Sequence, residues 1–145
     1  MTTAGIQQLI RHEGEAPRER SSCGFRDRLI SREDADQAAA WAHAVDIDGA
    51  RAHYHKVATE LYYVIDGEGT VTLDGVDHAV RKGSIVQIPP GVVHAASGRV
   101  RVLVVGIPDM SDDDLYFPEE SNAWLSTFLG RPTQSQRRWV RSRVA

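Results

Sequence analysis

Between Phe25 and Ile107 glycine-bearing turn signals recur at short intervals: Ile47-Asp48-Gly49, Asp66-Gly67-Glu68-Gly69, Asp74-Gly75, Lys82-Gly83, Pro89-Pro90-Gly91 and Ser97-Gly98. Short apolar runs lie between them, and that punctuation is the pattern of a β-sandwich or barrel. Residues 61–65, 70–73, 84–88 and 100–107 read as strands by content, being rich in Val, Ile, Thr and Tyr. Residues 38–47 send two signals. Ala38-Ala39-Ala40 favours helix, whereas Trp41, His43, Val45 and Ile47 alternate with Ala42, Ala44 and Asp46. The alternation predicts a strand.

The flanks differ in character from this middle. Residues 1–23 are charged and broken by Gly14 and Pro17, so they read as an N-terminal arm. Residues 24–108 form the predicted barrel. Residues 109–145 begin with an acidic stretch, in which Ser111 can cap a short turn. They continue in a short helix over 119–129, marked by the pairs Trp124/Phe128 and Leu125/Leu129, and end in an arginine-rich tail that reads as solvated. At 145 residues one core is expected. A net charge of −3 shows no basic excess, so nucleic acid is not an expected partner. No apolar run approaches the roughly 20 residues that cross a bilayer, and the N-terminal residues lack a signal-peptide core, so a cytoplasmic location is expected. Cys23 is the one cysteine; it reads as a bland free thiol in a polar stretch.

Two segments carry chemistry. In Gly49-Ala-Arg-Ala-His53-Tyr-His55-Lys-Val-Ala-Thr-Glu60, an extended backbone turns His53 and His55 to the same side, roughly 6.5 Å apart at Cα, so both imidazoles can converge on one ion. Glu60 follows a bend at 56–59 and opens an apolar strand, where a carboxylate would otherwise be misplaced. In the second segment, Pro89-Pro90-Gly91 forces a tight turn that aims His94 back toward the interior.

These segments resemble the paired motifs of the cupin superfamily, in its single-domain form. His53-x-His55-x₄-Glu60-x₆-Gly67 and Gly83-x₅-Pro89-x-Gly91-x₂-His94 match position by position. Two positions depart: three rather than five residues separate Gly49 from His53, and Gly98 stands where the family often has Asn. The resemblance implies an all-β jelly-roll barrel with one divalent transition metal held inside by His53, His55, Glu60 and His94. That ligand set suits Fe, Mn, Ni or Zn and leaves a divalent ion with a net charge of about +1, which favours anionic or chelating small-molecule substrates.

Strand alternation puts Tyr62 on the face of Glu60, as a candidate catalytic and substrate-binding residue or, equally, a wall aromatic. Arg51 shares the face of His53 and His55; it could pair a substrate carboxylate, although a solvated charge is the commoner fate. Tyr54 and Tyr63 face away, to packing or a dimer contact. His43 reads as a satisfied wall residue and His78 as a surface one. Three functions follow from the resemblance, in order: an Fe(II) oxygenase, a non-oxidative Zn-, Mn- or Ni-dependent isomerase, cyclase or lyase, and a non-catalytic binding barrel. A homodimer is expected, since open sheet edges need covering.

Overall fold

The computed structural model describes residues 10–31, 34, 40–108 and 112–118. Seven antiparallel strands run in chain order β1 (Arg18–Ser21), β2 (Gly24–Ile30), β3 (Trp41–Ile47), β4 (Thr59–Leu73), β5 (Val76–Arg81), β6 (Ile85–Ile88) and β7 (His94–Ile107). They form one sheet in the order β1-β2-β3-β7-β4-β5, with β6 paired to β4, the arrangement of a jelly-roll barrel. Val45, Tyr62, Val64, Val71, Ile88, Val100, Val102 and Val104 pack the interior.

The Asp74-Gly75 turn behaves as its sequence predicts. Both residues have positive φ, 47° and 82°, as a two-residue hairpin loop of the type I′ kind requires, and they join β4 to β5. Two other signals mislead. Asp66–Gly69 and Ser97-Gly98 are not turns: β4 runs unbroken over 15 residues and β7 over 14, paired along their lengths. Their glycines serve a close approach of backbones instead. A Cβ at Gly69 would lie 2.2 Å from the Ser97 carbonyl oxygen, and one at Gly98 would lie 2.7 Å from the Gly69 Cα. A register shift between Val64 and Asp66 marks a bulge in the same stretch, where glycine is commonly found.

The arm is shorter than its composition suggests. Residues 18–21, grouped with it by charge, form β1 against β2, and Cys23 is buried in the core rather than left in a polar stretch. Charged residues reach an edge strand here because each meets an opposite charge: Arg18 contacts Asp27 and Asp46, and Glu19 contacts Arg26. The strand expected over 38–47 is present as β3. In the acidic stretch, Asp112–Asp114 make a short 3-10 turn. The helix expected over 119–129 and the basic tail lie outside the described residues. No helix among the described residues is long and apolar enough to cross a membrane.

Candidate metal centre

His53 and His55 sit in an extended loop rather than in a strand, tied down by isolated bridges from His53 to His94 and from Tyr54 to Tyr116. The pleat argument nevertheless holds, because both imidazoles are buried, together with Glu60 on β4 and His94 at the start of β7. One ligand atom from each of the four lies within 4.8 Å of all the others.

Each imidazole is fixed by its other nitrogen. His53 Nδ1–H donates to the Arg51 carbonyl at 2.7 Å, His55 Nδ1–H to the Asp114 carbonyl at 2.5 Å and His94 Nδ1–H to the Val92 carbonyl at 3.0 Å. Backbone acceptors on Nδ1 select the tautomer whose Nε2 carries a free lone pair, the form a metal needs. The Nε2 atoms of His55 and His94 are buried without a hydrogen-bond partner. His94 Nε2 comes within 2.8 Å of Glu60 Oε2 yet makes no hydrogen bond in direction. Two donors on adjacent positions of one ion, each about 2.1 Å from it, would be about 3 Å apart. The quartet can therefore hold a metal ion, and among the described residues nothing else gives the Nε2 atoms of His55 and His94 a hydrogen bond.

The electrostatics agree. Burial would raise the Glu60 carboxyl, but its contacts with His55 and His94 outweigh that and lower it to about 2, so it is an anion at any ordinary pH. Burial, helped by the neighbouring His94, lowers His53 to about 4 and keeps it neutral. Burial would lower His55 too, but Glu60 beside it reverses the direction.

The bend between His55 and Glu60 is held from far along the chain. The Asp114 carboxylate accepts the backbone N–H of Lys56 at 2.8 Å, of Val57 at 3.1 Å and of Ala58 at 2.9 Å, while its own carbonyl receives His55 Nδ1–H. Burial pushes its carboxyl up, but these three donors bring it below the usual range. Sequence reasoning placed Asp114 in a generic acidic stretch. One acid among several in a short turn carries no local sign of a partner more than fifty residues away.

Tyr62 lies where alternation put it, fully buried, its hydroxyl donating to Glu60 Oε2 at 3.4 Å and lying 3.7 Å from Cys23 Sγ. Burial raises its pKa well above the ordinary value. Tyr63 faces outward and is half-exposed. Cys23, read as bland, stands 3.9 Å from His53 Nε2, and burial lifts its thiol to about 11, so it is a neutral wall group and not a thiolate. Arg51 is not brought to the quartet as a ligand: its guanidinium lies 4.0 Å over the Phe117 ring, which itself is 6.3 Å from His53. Tyr54 stacks on Tyr116, a packing role. His78 is exposed on β5. His43 is a wall residue, buried against Trp41, but its Nδ1 has no hydrogen-bond partner among the described residues.

Residues 46–106 match the family model of the cupin domain. The uncharacterized protein MJ1618 of Methanocaldococcus jannaschii is 35% identical over 66 residues, which are 43% of this chain and 53% of that protein, so the chain spans about half the length of this curated relative. Among solved structures, a protein from Planctomyces limnophilus superposes with a TM-score of 0.70 at 24% identity over 77% of this chain and 98% of that one. Pac13 of Streptomyces, described as a nucleoside dehydratase, superposes with a TM-score of 0.66 at 14% identity over 79% of this chain and 97% of that one. At such identities the likeness to solved structures shows the fold, a cupin-like barrel, and residues 46–106 of this chain are similar to the cupin domain.

Proposed function

We propose that the protein is a metal-dependent enzyme acting on a small, oxygen-rich molecule through proton transfer, in a dehydration, elimination or isomerisation. The observation that carries this reading is the pairing of a preorganised three-histidine, one-carboxylate cluster with the fully buried Tyr62 hydroxyl 3.4 Å from Glu60 Oε2. A divalent metal held by His53, His55, Glu60 and His94 would supply Lewis acidity toward a substrate oxygen.

The chain's own residues supply the rest. Tyr62, whose burial keeps it protonated, holds a proton beside the cluster and can donate it, as a hydrogen bond or outright, to an oxygen gaining charge. Glu60, anionic and inside, lowers the net positive charge of the site. Val64, Val102 and Val104 wall the interior beside Tyr62 and exclude water. The likeness to a protein described as a nucleoside dehydratase supports non-oxidative chemistry over the oxygenase reading.

The test compares reaction in air with reaction under argon. Metal-loaded protein is incubated with hydroxy acids, keto acids and nucleosides, and products are weighed by mass spectrometry. An isomeric product, or one lighter by water, formed equally fast in both atmospheres is expected. A product heavier by oxygen, formed in air alone, would establish the oxygenase reading instead.

A further inference from the structure

We infer that the β2–β3 wall of the barrel, through Arg26, Arg28 and His43, is the seat of a second anionic group on the substrate, a carboxylate or phosphate remote from the end that meets the metal. The inference rests on the proposed metal site for the position of that first end.

Strand register places these residues inside. Arg28 pairs with His43, His43 with Val104, Val104 with Tyr62 and Tyr62 with Val86, so one row crosses five strands on a single face. Val104 and Tyr62 are buried on that face, which is therefore the barrel interior. Arg26 pairs with Val45 in the neighbouring row and shares the same side. Alternation sends the intervening Asp27 to the opposite face, where it meets Arg18 and Arg101.

The two arginines are partly exposed and the histidine beside them is buried. The Arg26 and Arg28 side chains are 26% and 29% exposed, while His43 is 4% exposed with a buried, unpartnered Nδ1. A buried nitrogen with no partner is costly unless something outside the protein meets it. The Arg26 charge acts both on His43 and on Cys23, whose sulfur lies 3.9 Å from His53 Nε2. Glu19 contacts both guanidinium groups, at 2.6 Å from Arg26 and 3.8 Å from Arg28. At 39% exposure it can swing aside for a ligand anion, which arginine binds in the same forked geometry. From His43 to Tyr62 the row spans two strand spacings, roughly 10 Å along the sheet, so the ligand is one whose two polar ends are separated by several bonds.

The test uses Co(II)-loaded protein, with d–d absorption and titration calorimetry as readouts. Azide and acetate, which need the metal alone, should bind wild type, Arg28→Gln and Arg26→Gln alike. Glutarate should bind wild type at least about ten-fold more tightly than acetate, and Arg28→Gln should remove that gain. Glu19→Gln should tighten glutarate, an increase that mere loss of a structural ion pair would not give. Phosphonopropionate in place of glutarate tells which oxyanion is preferred. Equal affinity for acetate and glutarate in wild type, or an undiminished gain in Arg28→Gln, overturns the inference. If Co(II) is not taken up, the metal reading fails instead, and glutarate titration of the metal-free protein then decides the wall by itself: heat lost in Arg28→Gln upholds it, and unchanged heat overturns it.

Discussion

The two halves of the barrel interior are built from the same strands and have opposite chemistry. Farther along β4 and β7, Val64, Val71, Val100 and Val102 meet Val80 of β5 in an apolar mass. Glu60 and Tyr62 near the start of β4 and His94 at the start of β7, at opposite ends of the paired register, are brought together in space with His53, His55 and Cys23 into a polar cluster. Burying apolar surface stabilises the fold at roughly 25 cal/mol per Å², whereas burying unpaired polar groups opposes it. The valine half therefore holds the fold, and the histidine half is free to be organised for a ligand.

That division can be broken at several points. The largest effect is expected from His94→Ala, which should abolish tight metal binding while circular dichroism still reports a folded β protein, because the valine half is untouched. Metal at full occupancy in that variant would refute the assignment, and an unfolded variant would refute the division. Tyr62→Phe should lower turnover roughly 10²–10⁴-fold with metal content unchanged, since it deletes one hydroxyl and preserves the ring, and Tyr63→Phe should do little. Asp114→Ala should weaken metal binding by about 10–100-fold, measured by competition with a chelator, because three N–H groups at the 56–58 bend lose their acceptor.

Smaller effects test the apolar half. Val102→Ala should cost about 1–3 kcal/mol in denaturant unfolding and leave metal affinity within about two-fold. A pH dependence should appear in the metal-free protein. Burial, followed by the positive charges of Arg26 and Arg28, lowers His43 to about 4, below its ordinary value of 6.5. The unfolded chain thus takes up its proton first, so the stability of the neutral form is present above about pH 6.5 and is lost as pH falls toward 4. His43→Leu should flatten that slope, and an unchanged slope would assign it to other groups.

The sequence made the ligand half more legible than its supports. Ligand type and spacing are local, so His53, His55, Glu60 and His94 could be read directly, and period-two alternation separated Tyr62 from Tyr63 correctly. Gly67, Gly69 and Gly98 could not be told from turn glycines, because a glycine that admits a neighbouring strand looks the same as one that bends the chain. The charges of residues 18–20 argued for an arm, but their partners lie on β2 and β3 and are invisible to any window along the chain. The burial of Cys23 and the reach of Asp114 to the 56–58 bend were missed for the same reason.

X-ray absorption at the edge of zinc loaded into the purified protein tests the centre most directly. Three imidazole nitrogens and one carboxylate oxygen at about 2.0–2.2 Å are expected, with no sulfur, since Cys23 is not among the residues whose ligand atoms converge. A sulfur shell at about 2.3 Å, or a shell with fewer than three imidazoles, would contradict the site.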